Sequence, residues 1–306
     1  METKIDNQRI QQVIFGTVRH VINGFLLERQ SRGLSKRTVE YYAEKLGYFC
    51  QYLDGVAVNT IGEISPELIR QYLLFLSTTH NPGGAHSIYR AIRALLNWWE
   101  SENDGDFKNP IKKVSAPKVR NDPLPGISLE NVKKMIEACK TGLALRDKAI
   151  LLTLVDTGLR ASEFIALDLK DINLITGQIN VRMGKGGKSR IAFVGRKSRQ
   201  MIRKYLRSRV SLVDNLPLWI THEGERISYN GLREIIRRRS RDAGISAPGL
   251  HDFRRCFALT MLRNGCDLIT LSKLMGHSGL EVLKHYLALT NIDLQKIFST
   301  TSPFDY

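Results

Sequence analysis

Apolar residues recur at helical spacing from the first residues onward. Ile10, Val13, Ile14, Val18, Val21, Ile22, Phe25 and Leu26 form one stripe, which predicts a helix, or two nearly continuous ones, over residues 8–32. Gly33 stops it. Ser35 caps a second helix over 36–53, with Tyr41, Tyr42, Leu46, Phe49 and Leu53 on or near its apolar face. Ser65 and Pro66 open a third, to about residue 79, where proline occupies the first helical position and its missing N–H does no harm. After Asn81-Pro82-Gly83-Gly84 a fourth covers 86–100, turning Ile88, Ile92, Leu95, Leu96 and Trp99 inward. Residues 1–108 therefore read as a small helical domain.

The periodicity fails between Asn109 and Gly126, where Pro110, Pro117, Pro123 and Pro125 alternate with Lys112, Lys113, Lys118 and Arg120. This stretch, 109–126, is a basic, proline-rich linker. In the second domain, 127–306, Ser128 caps a helix to about residue 139, a buried helix over 145–156 ends at Gly158, and a short one covers 161–167. Two strand-like runs, 178–182 and 190–194, flank a glycine-rich hairpin tip, Met183-Gly184-Lys185-Gly186-Gly187-Lys188-Ser189. Basic helices follow at 196–210 and 228–243, then helices at 251–264 and 267–275, a short helix carrying Tyr286, and a last turn or two over 293–298. The pattern predicts a mainly α fold with a small antiparallel β-sheet.

Charge adds the first indication of a partner. The chain of 306 residues has a net charge of +16. Up to Asn121 there are 16 Lys and Arg against 12 Asp and Glu; beyond it there are 30 against 18, so the excess lies in the second domain. A basic surface of this size favours a polyanion, because neutralising phosphates releases counterions. No run approaches the roughly 18 apolar residues of a membrane span, and Met1-Glu2-Thr3-Lys4 has no signal-peptide character. The expectation is a soluble, cytoplasmic protein with a polyanionic partner and no membrane partner. Cys50, Cys139, Cys256 and Cys266 form no CxxC pair, which argues against a zinc site and a disulfide framework.

Several positions carry residues suited to phosphate chemistry. Arg160 follows the helix stop at Gly158, with Glu163 three residues on to orient it. His251 and Arg254, at i and i+3, share one helical face, where an arginine fork and an imidazole can meet a phosphate together. Lys185 sits among glycines that allow close approach, although the loop lacks the spacing of a P-loop. Gly276 places His277 at a tight junction, and Ser278 with Glu281 reads as a capping box. Tyr286 then lies about 80° from the centre of the Leu280, Leu283, Leu287 stripe, which leaves its ring part buried and its hydroxyl free. Singly, each has an ordinary reading: a surface ion pair, a structural histidine, a solvated lysine, a packing aromatic.

Their order is less ordinary. Thr157-Gly158-Leu159-Arg160-Ala161-Ser162-Glu163, the Gly-Lys-Gly-Gly-Lys-Ser-Arg hairpin, His251-Asp252-Phe253-Arg254-Arg255, and Leu274-Met275-Gly276-His277-Ser278 with a tyrosine nine residues after the histidine resemble the motifs of the tyrosine recombinases, the phage integrase or Xer-like family. The likeness extends over nearly the whole chain. It implies an N-terminal helical, SAM-like core-binding domain and a mixed α/β catalytic domain, closing around duplex DNA as a clamp. It further implies that Tyr286 attacks a phosphodiester to form a 3′-phosphotyrosine without metal, ATP or other cofactor. Arg160 and Arg254 would bind the non-bridging oxygens. His251 would assist the proton of the nucleophile, His277 would donate to the phosphate, Lys185 would protonate the departing 5′ oxygen, and Glu163 would support.

DNA contacts are expected from Lys188, Arg199, Arg203, Arg207, Arg237, Arg238 and Arg239. The implied partners are double-stranded DNA bearing a specific recombination site and further copies of the chain, four on two sites, docked through the segment after Asp293. Integration, excision and resolution all fit. Phe253 in place of the commoner leucine, and Arg255-Cys256 in place of the frequent His-Thr pair, are the departures from the motifs. Two other readings remain open: a type IB topoisomerase-like DNA-relaxing enzyme, and a catalytically silent DNA-binding regulator.

Overall fold

A computed structural model of the chain describes residues 16–103, 107–119, 126–140, 142–182, 189–209 and 216–276, together with 295, 298–299 and 302. The chain divides into two compact units, Met1–Asn121 and Asp122–Tyr306.

The first unit is a helical bundle. Its helices are α1 (Val18–Ser31), α2 (Lys36–Gly55), α3 (Pro66–Thr79) and α4 (Pro82–Glu102). Each starts at a side-chain cap: Thr17, Ser35, Ser65 and Asn81 accept from backbone N–H groups two or three residues into their helices. Phe25, Leu46, Phe49, Leu53, Ile69, Tyr72, Ile88, Ile92 and Leu95 form the core at zero exposure. Burial pushes the Tyr72 phenol well above its ordinary range, consistent with a ring used for packing.

The helix expected over 8–32 is capped at Thr17, and the part of it over 8–15 lies outside the described residues; two further boundaries also differ from the sequence expectation. α4 begins four residues before the predicted start, because Asn81 caps Gly84 N–H at 2.8 Å and Pro82 takes the first helical position; the glycine pair lies inside the first turn. The expected linker is also packed in its first part. Residues Pro110–Lys113 form a 3₁₀ turn, Ile111 and Val114 join the core, and Tyr89 Oη donates to Val114 O at 2.8 Å.

The second unit holds α5 (Leu129–Ala138), α6 (Ala144–Thr157), α7 (Ala161–Ile165), β1 (Gln178–Val181), β2 (Arg190–Phe193), α8 (Arg196–Arg207), α9 (Tyr229–Asp242), α10 (Leu250–Arg263) and α11 (Leu268–Met275). The central helix is α6, which packs on α5, α8 and α10. Ile150, Leu151 and Leu154 carry that contact, and Trp219 stacks on Phe164 at 4.9 Å and on Tyr205 at 5.8 Å beside it. β1 and β2 pair antiparallel, with Gln178 opposite Phe193 and Val181 opposite Arg190.

In β2 the faces run against hydropathy. Ile191 and Phe193 are exposed at 48% and 55%, whereas Ala192 is buried and Arg190 shares its inward face. Among the described residues no helix is long and apolar enough to cross a membrane.

Candidate active site

α6 ends because Gly158 adopts φ +58°, a left-handed cap that turns the chain through Leu159 and Arg160 into α7. The ring of Phe257, on α10, fills the space where a Cβ on Gly158 would lie, so this turn is shaped for glycine twice over. Arg160 is the residue just before α7, and its backbone N–H donates to Glu163 Oε2 at 2.8 Å. Its guanidinium doubles back to Glu163 Oε1 at 2.8 Å and reaches across to the Gly276 carbonyl at 2.9 Å. The predicted pair thus exists, but it is half of a larger arrangement.

Glu163 is buried, with 1% of its side chain exposed, and it accepts a further hydrogen bond from Arg190 Nη2 at 2.8 Å. Burial pushes the Glu163 carboxyl up; hydrogen bonds from Arg190, from the Arg160 backbone and from the Arg160 guanidinium outweigh it and hold the group below the usual carboxylate range. The carboxylate is therefore ionised and shared between two arginines.

Arg254 projects from α10 into the interior, at 2% exposure. Its Nη1 donates to Gly158 O at 2.6 Å and its Nη2 to Met275 O at 2.8 Å. Arg190 Nε donates to Leu274 O at 3.2 Å. Arg190, Arg254 and Arg160 thus meet the consecutive carbonyls of Leu274, Met275 and Gly276. These groups form the negative end of α11, where cations are favoured. Gly276 ends that helix at φ +65°. The next residue in the chain is His277.

His251 lies one turn before Arg254 on the exposed side of α10. Desolvation by its neighbours lowers the imidazole pKa, and the charges of Arg255, Arg254 and Arg160 lower it further against the opposing pull of Asp252. The ring is neutral at neutral pH and can accept a proton. α10 itself is anchored at its start: Asp252 accepts Gly249 N–H at 2.7 Å and Arg255 Nη1 at 2.8 Å, while its carbonyl receives Ile127 N–H.

The structure therefore brings Arg160, Glu163, His251 and Arg254 together. Lys185, Lys188, His277 and Tyr286 lie outside the described residues. Sequence reasoning gave no role to Arg190, although it closes the glycine-rich motif. The available signal was strand parity, which puts residues 190, 192 and 194 on one face, but the apolar Ile191 and Phe193 make the other face look like the inward one.

The expected DNA-contacting arginines divide. Arg207 and Arg237 are exposed, the latter loosely paired with Glu234 at 3.2 Å. Arg199 and Arg203 donate to the carbonyls of Ile175 and Leu174 and brace the turn before β1. Arg238 reaches Asp147 at 3.1 Å. Arg239 corrects the expectation: it is 3% exposed and bound to the buried Asp147 at 2.6 Å and to Asp242 at 3.0 Å, so it holds α9 against α6 and presents no charge to a ligand. In the first unit, Tyr41, Tyr42, Arg90, Arg93 and Asn97 line a hollow of about 290 Å³ that the sequence reading did not single out.

The model of the phage integrase family matches residues 127–291, more than half of the sequence. The chain belongs to the phage integrase family. Tyrosine recombinase XerD of Listeria monocytogenes serotype 4b (strain F2365) is 28% identical over 285 residues, covering 89% of this chain and 94% of the relative. Tyrosine recombinase XerC of Thermodesulfovibrio yellowstonii is 34% identical over 217 residues, 67% of this chain and 70% of the relative. Two solved integrase-family structures share the fold. XerH site-specific recombinase bound to palindromic difH substrate, a post-cleavage complex, matches at TM-score 0.73 and 20% identity over 91% of this chain and 83% of that one. A lambda integrase dimer bound to a COC′ core site matches at TM-score 0.71 and 17% identity over 87% of this chain and 97% of that one.

Proposed function

We propose that this integrase-family chain is a tyrosine site-specific recombinase that cuts and rejoins DNA strands through a 3′-phosphotyrosine intermediate. The observation that carries the reading is the convergence of Arg160 and Arg254 on the carbonyls of Gly276 and Met275, beside His251 and one peptide bond from His277. Relatives named tyrosine recombinases XerC and XerD support the reaction class.

In this reading Tyr286 Oη attacks the scissile phosphorus. The new Tyr–O–P bond replaces the P–O5′ bond, the phenolic proton passes to His251, and Lys185 supplies a proton to the departing 5′ oxygen. The arginines offset charge growing on the non-bridging oxygens, where an oriented donor in a partly dry site acts more strongly than in water. His277 adds a further donor. The bond energy stays in the ester, so a 5′-hydroxyl from another strand reverses the step without an external energy source. A phenol with a pKa of about 10 needs the neutral imidazole that desolvation and the neighbouring arginines maintain at residue 251.

Double-stranded DNA is the substrate, and the working assembly is a homo-oligomer of four copies on two sites. Arg207 and Arg237 of the second unit and Arg90 and Arg93 of the first supply phosphate contacts. The protein acts on chromosomal or mobile-element DNA in the cytoplasm.

Sequencing the DNA trapped covalently on the protein in cells identifies the site. A nicked substrate bearing that site then yields a 3′ adduct with the wild-type chain. Tyr286→Phe binds the same DNA with no adduct; an adduct on the phenylalanine variant would refute the nucleophile assignment. Plasmid relaxation without recombinants would instead favour the topoisomerase reading.

A further inference from the structure

We propose that Arg190 is a positioning residue for the recombination reaction: through Glu163 and the carbonyl end of α11 it sets the direction in which Arg160 points. The proposal rests on the recombinase reading above and adds a residue to it.

The geometry begins at the buried carboxylate. Glu163 Oε2 takes two donors, the Arg160 backbone N–H and Arg190 Nη2, while Oε1 takes the Arg160 guanidinium. Of the two arginine side chains, that of Arg160 is 28% exposed and that of Arg190 only 11%. Arg160 is the one that can meet a ligand, and Arg190 is the fixed side of the pair. Without Arg190, the carboxylate keeps donors from one residue alone among the described residues and can rotate with it, so the Arg160 fork loses its aim.

The second contact removes the remaining freedom. Arg190 Nε holds Leu274 O, and the side chain lies so close to Gly276 that a Cβ there would come within 2.6 Å of its Cδ and 2.7 Å of its Nε. The turn that supplies the Gly276 carbonyl to Arg160 is therefore seated on the stem of Arg190. Both anchors of the Arg160 guanidinium, the Glu163 carboxylate and the Gly276 carbonyl, are held by the same neighbour.

Stability alone does not account for an arginine here. Its Nη1 is buried and has no acceptor among the described residues. Arg160 already supplies a cation to the Glu163 carboxylate, and a methionine would fill much of the space that the Arg190 stem occupies. What methionine cannot do is orient a carboxylate and a carbonyl together.

The test compares adduct formation on two nicked substrates. One carries an ordinary scissile phosphodiester. In the other a methyl group replaces a non-bridging oxygen and removes the charge that Arg160 meets. Arg190→Met should lower the melting temperature, because Glu163 loses one of its two arginine partners, and adduct formation is compared well below that temperature. On the ordinary substrate it should form adduct about 10- to 100-fold more slowly. On the methylphosphonate the difference from wild type should shrink to less than about 3-fold, because the aim of Arg160 then matters less. Adding Arg190→Met to Arg160→Met should slow the reaction by no more than about 2-fold, since residues acting through one group are not additive.

Equal losses on both substrates, additive losses in the double variant, or a wild-type rate would each overturn the proposal. If Arg190→Met fails to fold, Arg190→Lys replaces it. Lysine keeps a charge for Glu163 but lacks the fork that also holds Leu274 O, so the same substrate dependence is expected and equal losses again count against the idea. Absence of adduct with the wild-type chain, or its presence with Tyr286→Phe, is a failure of the recombinase reading itself and is separable from these outcomes.

Discussion

At the scale of single residues, the site depends on ionisation states set by desolvation and by the arginines together. Desolvation, and after it the charges of Arg255, Arg254 and Arg160, hold the pKa of His251 below the ordinary 6.5. The sign follows from linkage: the unfolded chain binds this proton more readily than the folded one. The stability associated with the neutral ring is present above pH 6.5 and is lost as the pH falls through the folded value. An NMR titration of His251 in the DNA-free protein should give a midpoint below 6.5, and His251→Gln should lessen the loss of stability on acidification. A midpoint above 6.5 would mean that Asp252 dominates its surroundings. Glu163 behaves in the opposite chemical sense, remaining charged because three hydrogen bonds from two arginine residues surround it. A neutral base beside a fixed cationic pair is the combination that a phenol attacking a phosphate requires.

At the scale of elements, helix starts organise the first unit. Asn81→Ala removes the acceptor for Gly84 N–H and should cost about 1 kcal/mol in chemical denaturation, a loss that serine should largely restore. An unchanged midpoint would show that Pro82 alone sets the start of α4. Most of these elements were legible in the sequence. Ser35, Ser65, Ser128 and Gly158 marked helix boundaries correctly because caps act locally. The pairing of Arg160 with Glu163 was legible for the same reason, being three residues apart. What could not be read was tertiary. The packing of Ile111 and Val114 arises because two apolar residues in a proline-rich stretch meet a bundle surface far along the chain. The contacts of Arg190 and Arg254 with the end of α11 span 84 and 21 residues, a separation on which helical or strand periodicity has no bearing.

At the scale of the whole molecule, the net charge of +16 overstates the charge available to DNA. Arg239 and Arg146 are neutralised inside by Asp147, and Arg190 is committed to Glu163 and to the end of α11. Replacing Arg207 or Arg237 with Gln should reduce the slope of log affinity against log salt by about 1 each. Arg239→Gln should leave that slope unchanged and lower the melting temperature, because the buried Asp147 carboxylate loses one of its arginine partners. A reduced slope for Arg239→Gln would return this residue to the DNA contacts. The same division between visible and available character applies to β2. Ile191 and Phe193 carry little of the core, whereas Arg190 and Ala192 have neighbours on the inward side. Mutational tolerance along this strand therefore runs opposite to hydropathy. Exchanging Ile191 and Phe193 for polar residues should keep the fold, whereas a change at Arg190, between the hairpin and the end of α11, should not be neutral.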